Sequence, residues 1–232
     1  MLAPQAIDKR SVSPYSEVLF QLDADMTDLT LYTHPRSRGR IVRWMLHEVG
    51  ADYEVDYRGY GGSMNTAEFR SINPMGKVPV IRHRDAIITE CAAICAYLAD
   101  AFPKAGLAPP LDQRAAYYRW LFFASGPLEA AITNAALGVE LKPEQEAFVG
   151  YGHMQRVLDT LEATVDIEGA LCGDRFTAAD VYVASQIGFG LQFGTIEKRP
   201  AFVAYAKRAT DRPAWREANR LDDEAMAEFG QE

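Results

Sequence analysis

Leu29 and Leu31 alternate with Thr30 and Tyr32, the period of two that presents one face of a strand to a core, and Pro35 ends the run. The period then changes. Ile41, Val42, Met45, Leu46 and Val49 fall on one helical face, and Gly50 stands where a helix needs a left-handed cap. Alternation resumes over residues 53–57, so the chain begins as strand, helix, strand, an order that pairs its strands in parallel. Gly59, Gly61 and Gly62 mark a loop, and residues 66–72 predict one or two helical turns.

The stretch over residues 73–98 organises what surrounds it. Val80 and Ile81, then Ile87 and Ile88, are short β-branched runs whose separation suits a hairpin. Pro79 cannot donate to a ladder, so it belongs at a strand start or edge and leaves the backbone groups of Val78 unpaired; a cis Val78-Pro79 bond would fix that edge. Beyond Thr89, the positions Ala92, Ile94, Cys95 and Leu98 share a helical face. The free N–H groups of a helix opening at Glu90 and Cys91 attract a carboxylate. A peptide ending in a carboxylate thus has two docking points, the Val78 edge and this helix start.

Pro103 closes that helix, and residues 105–111, with Pro109 and Pro110, read as a linker. The remainder of the chain is helical in pattern: residues 112–137 with a break at Gly126 and Pro127, 143–165, 177–191, 203–210 and 214–221. Thr177 and Asp180 form a capping box, with Phe176 as its hydrophobic staple against Val181, which is folding chemistry rather than catalysis. The expected architecture is an α/β thioredoxin-like domain over residues 26–104 followed by an all-α domain over residues 112–232. Residues 1–25, a leader without the pattern of a secretory signal, are set aside.

Composition narrows the function. Of 232 residues 48% are hydrophobic, and 24 basic against 32 acidic residues give a net charge of −8, which argues against a nucleic-acid or anionic-membrane binder. Apolar runs fall short of a membrane span, and three scattered cysteines make no disulfide framework, so a reducing cytoplasm is expected. Cys91 and Cys95, at i and i+4 without a nearby histidine, predict no metal site.

The order Asn73, Pro74, Met75, Gly76, Lys77, Val78, Pro79, a hairpin, then Thr89, Glu90, Ala93, Ile94, Tyr97 and Leu98 resembles the glutathione S-transferase family, most closely its bacterial serine-type members. The resemblance implies glutathione as co-substrate, with its cysteinyl part on Val78 before Pro79, its γ-glutamyl end on Glu90 and Cys91, and Lys77 as the cation for its other carboxylate. Cys91 stands where the family usually has serine, a weaker donor. The resemblance also implies a homodimer and a small electrophile as second substrate.

Glutathione chemistry needs an ionised thiol, and a hydroxyl at the start of the first helix would stabilise it. Tyr32, at the strand end, and Ser37, near the helix start, compete for that role, with a backbone N–H as the third option. Arg36, Arg38 and Arg40 bracket the loop, as a solvated edge or as holders of an anion, and His34 is a possible base. Cys91, at a helix start, is a candidate for a lowered pKa, and Cys95 belongs to the core. Tyr117, Tyr118 and Trp120 crowd one helix of the second domain and are candidates to line an apolar second-substrate site. The expected function is glutathione conjugation to a small electrophile in detoxification; the alternatives are a glutathione-dependent isomerase or disulfide reductase, and a non-catalytic glutathione-binding protein.

Overall fold

A computed structural model describes residues 28–165 and 169–229. The leader over residues 1–25 lies outside them. The first part runs β1 (Leu29–Thr33), α1 (Gly39–Val49), β2 (Glu54–Tyr57), α2 (Ala67–Ile72), β3 (Val80–His83), β4 (Ala86–Thr89) and α3 (Cys91–Ala101). The sheet order is β2-β1-β3-β4, with β1 and β2 parallel and the other pairs antiparallel. Gly50 caps α1 at φ 65°, as its position predicts.

Strand parity divides the residues of this sheet. Leu29, Leu31 and Ile81 face α1 and α3 and join the main core, while Tyr32 and Val80 turn to the other face and pack with Met64 and Phe69.

The second part consists of α4 (Ala115–Phe123), α5 (Glu129–Ala136), α6 (Met154–Glu162), α7 (Ala178–Phe193), α8 (Pro200–Thr210) and α9 (Pro213–Phe229). Three expectations are corrected here. Gly126 and Pro127 do not break the helix; they sit in a π-helical turn, Ala124–Leu128, that carries α4 into α5. Residues 143–165 are not one helix, since a 3₁₀ turn, Pro143–Phe148, is separated from α6 by Gly150 and by Gly152 at φ 67°. The final helix, expected over residues 214–221, extends to Phe229. At the start of α7, Asp180 accepts the Thr177 N–H at 2.9 Å and the Leu171 N–H at 2.9 Å, and Tyr205 donates to it at 2.8 Å. The Phe176 ring lies against Trp44 and beneath Arg212.

α7 is buried on most of its surface, and α1, α3 and α4 pack against it, so both parts share one core. α9 covers the remaining flank of α1, running antiparallel to it. Arg212 pairs with Glu48 at 2.6 and 2.7 Å, Arg40 reaches Asn219 and Asp223 at 3.1 and 2.6 Å, and Phe229 ends against His34 and Tyr57. Between them Arg43 Nε meets Asp222 Oδ1 at 3.0 Å with both side chains 3% exposed or less. Arg43 also donates to the Tyr57 hydroxyl at 2.9 Å.

Burial pushes the Asp222 carboxyl up to about 6, against the pull of Arg43 and Arg40. A carboxyl whose folded value lies above its ordinary one stabilises the fold fully below the ordinary value, and that contribution is lost as pH rises through about 6. Measured by urea unfolding against Asp222→Asn, which does not titrate, the native chain is expected to lose roughly 1 kcal/mol between about pH 5 and about pH 7.5. A difference that stays flat over this range would exclude Asp222 as the titrating group.

Candidate functional site

The parity of β1 decides which side chains reach the start of α1. Tyr32, 5% exposed, points to the α2 face, where its ring tilts against Phe69 and the Arg58 and Arg82 guanidiniums lie over it. It is therefore corrected from a catalytic candidate to a core residue on the wrong side of the sheet. Thr33, one position on, turns to the α1 side and is fully buried there. A Cβ at Gly39 would overlap Thr33 Oγ1 and stand 2.9 Å from Thr33 Cβ, so α1 opens on glycine because Thr33 occupies that space. Thr33 is absent from the sequence-based candidates, although its parity with Leu29 and Leu31 is visible there.

Residues 34–38 form a turn closed by its own hydrogen bonds. His34 Nδ1 accepts the Arg36 N–H at 3.1 Å, and the His34 carbonyl accepts both the Ser37 N–H at 2.8 Å and the Ser37 hydroxyl at 2.7 Å. Ser37 Oγ in turn accepts the Gly39 N–H at 2.9 Å. The Ser37 hydroxyl is thus half-buried at the helix start, beside its positive end.

Opposite this turn stands the edge before β3. Asn73 Nδ2 donates to the Lys77 carbonyl at 2.8 Å, Asn73 Oδ1 accepts the Met75 N–H at 3.1 Å, and Gly76 takes φ 59°. The Val78-Pro79 bond is cis, and the ladder begins only at Val80, beyond it. Lys77 is exposed on the turn. Glu90, exposed at φ 66°, precedes α3. Cys91 Sγ lies 3.6 Å from the Arg38 carbonyl, tying the two helix starts together. Burial pushes the Cys91 thiol up to about 12, against the opposing charge of Arg38, the reverse of the lowered value for which its place at a helix start made it a candidate. Cys95 is fully buried, as a core residue.

The arginines separate by partner. Arg40 is held by α9 and by the Pro35 carbonyl at 2.6 Å, whereas Arg36 carries no ion pair among the described residues. Arg38 reaches out of the sheet domain to Glu129 Oε1 at 2.8 Å, with side chains 50% and 32% exposed, a geometry worth about 0–1 kcal/mol in water. The Tyr182 hydroxyl sits 3.5 Å from Glu129 Oε2. Tyr60, 57% exposed, packs its ring 4.4 Å from that of His34.

The aromatic candidates on α4 divide. Tyr117 and Trp120 are at most 1% exposed and belong to the core, so their expected place along a second-substrate site is corrected; Tyr118 remains 43% exposed and accepts from Arg114 at 3.2 Å. Two concavities of about 580 and 510 Å³ lie along α9 and beneath α8, and neither is lined by the turn at residues 34–38. Among the described residues no helix is long and apolar enough to cross a membrane.

A thioredoxin-like sheet with a cis-proline edge facing a helix start, joined to a helical domain, agrees with the sequence comparisons. Residues 27–100 match the family described as Glutathione S-transferase, N-terminal domain. Glutathione S-transferase 1 of Dianthus caryophyllus is 30% identical over 164 residues, 65% of this chain and 73% of that protein. Maleylacetoacetate isomerase of Pseudomonas aeruginosa is 28% identical over 202 residues, 82% of this chain and 95% of that one. The crystal structure of a glutathione transferase from Methylococcus capsulatus str. Bath superposes with a TM-score of 0.69 at 31% identity, covering 84% of this chain and 98% of that one. The chain belongs to the glutathione S-transferase family.

The contact between Thr33 and Gly39 yields a stability prediction. Gly39→Ala is expected to destabilise the fold by about 1–3 kcal/mol through overpacking. Thr33→Ala should recover part of this in the double variant, because it removes the overlapping hydroxyl and keeps the neighbour at 2.9 Å. Additive losses in the two single variants, measured by denaturant unfolding, would mean that the two side chains do not share this space.

Proposed function

We propose that the protein is a glutathione transferase that activates the glutathione thiolate for attack on a small electrophile, acting in detoxification as a cytoplasmic homodimer. The observation that carries this reading is that the Val78 edge, the exposed start of α3 at Glu90 and the start of α1 at Ser37 follow from one end of the sheet, where Tyr32 pairs with Val80 and Val80 with Thr89, and that Cys91 Sγ joins the two helix starts. Val78 would pair with the cysteinyl backbone, Glu90 and the first N–H groups of α3 would take the γ-glutamyl end, and Lys77 the other carboxylate. Pro79 fixes the edge, and Cys91 supplies only its backbone, since its thiol is turned to Arg38. Ser37, with the N–H groups that begin α1, would donate to the thiolate. No metal enters this scheme. Tyr118 and Phe122 are the exposed aromatics on α4, and of the candidates Tyr118 is left to the second substrate. An isomerase remains the second reading, favoured by the likeness to maleylacetoacetate isomerase over most of the chain.

Calorimetry with glutathione, followed by titration of the bound thiol through its ultraviolet absorbance, tests this. The bound thiol is expected to ionise near about 6.5, against about 8.5 for a free thiol. Ser37→Ala should raise that value by about one unit and lower conjugation of 1-chloro-2,4-dinitrobenzene by about tenfold or more. A Ser37→Ala chain with the unaltered thiol value would leave the work to the helix N–H groups alone. Glutathione binding with no thiol shift in the native chain would exclude the transferase.

A further inference from the structure

We propose that Arg38 sets the choice of electrophile, favouring compounds with a carboxylate beside a flat ring, and that Glu129 is the resting counter-ion this carboxylate displaces. The inference rests on the transferase reading above and names its second-substrate class.

Four arginines stand between residues 36 and 43, and α9 consumes two of them, Arg40 through Asp223 and Arg43 through Asp222. Arg36 and Arg38 are left exposed on the turn, and among the described residues Glu129 is the one acid paired with either. Arg38 and Glu129 are both partly exposed, so their bond is weak and easily exchanged. They differ in what holds them. Glu129 follows the π-helical turn directly and has the buried Tyr182 behind it, itself hydrogen-bonded by Gln186 at 3.1 Å. Arg38 projects from the residue just before α1, its side chain reaching across to the other domain. Its planar fork suits a carboxylate supplied by a ligand.

The surroundings define the rest of the ligand. The Tyr60 ring lies more than half exposed against His34, which belongs to the same turn as Arg38. A cation and an open aromatic face on one turn fit an aryl carboxylate. Ser37, which would hold the thiolate, immediately precedes Arg38, so both stand at the start of α1.

The test uses two thioethers, S-benzylglutathione and its para-carboxybenzyl analogue, with dissociation constants measured by calorimetry on the full chain. The native chain should bind the carboxy analogue about fivefold more tightly. Arg38→Ala should abolish or reverse that preference, and Glu129→Gln should widen it. Equal loss of both ligands in Arg38→Ala would assign Arg38 to a carboxylate of glutathione itself and overturn the proposal. An unchanged preference in both variants would overturn it as well. Binding of neither thioether by the native chain would remove the transferase reading and this inference with it, whereas binding of both without preference removes this inference alone.

Discussion

The contact between Arg43 and Asp222 fixes how the chain is put together. A guanidinium on α1 and a carboxylate on α9 are withdrawn from water together, at 3.0 Å, with Tyr53 and Tyr57 around the arginine. Burying two charges costs more than a well-packed apolar pair would, so the contact does little for net stability; what it supplies is register, since any other placement of α9 leaves both charges unpaired. Glu48 with Arg212 at one end of α1 and Arg40 with Asp223 at the other repeat the same register. With α7 on its apolar face and α9 on the other, α1 is held from both sides, and the turn at residues 34–38 inherits that rigidity.

Much of the fold is written in the sequence. The alternation around Leu29 and Leu31, the face from Ile41 to Val49 and the hairpin between Val80 and Ile88 each correspond to the expected element, because their side chains pack against one neighbour whose presence the period itself announces. The failures have separate origins. The apolar pattern of α9 stops at residue 221 because its inward face then carries Asp222, and only the distant Arg43 makes an aspartate belong there. Gly126 and Pro127 signal a break, yet a π turn accommodates them, since the wider turn relieves the clash of the proline ring with the preceding backbone.

The site is legible to a similar degree. The cis edge at Val78, the helix start at Glu90 and the turn at Ser37 follow from local chemistry, and the pairings Tyr32 with Val80 and Val80 with Thr89 put the segments that carry them at one end of the sheet. Tyr32 is excluded by an argument that needs only counting. A strand alternates, so if Leu31 faces α1 then Tyr32 faces away and Thr33 returns. The aromatic crowd at residues 117–123 misleads differently: a helix packed on several sides hides which of its faces is open, and Tyr117 and Trp120 prove to be interior.

The hydrogen bonds around Ser37 bear on how such a turn would serve a thiolate. Its hydroxyl is engaged with the His34 carbonyl at 2.7 Å, which at first argues against a role toward a ligand. That carbonyl, however, also accepts the Ser37 N–H at 2.8 Å, so turning the hydroxyl away leaves no orphaned acceptor. The Gly39 N–H continues to donate to Ser37 Oγ at 2.9 Å and polarises the hydroxyl in the useful sense. A hydrogen bond to an anion is about twice as strong as one to a neutral acceptor, so in the proposed scheme a thiolate within reach would win the exchange. The proposed role of Ser37 therefore asks for one hydroxyl rotation, with α1 and its flanking helices staying where they are.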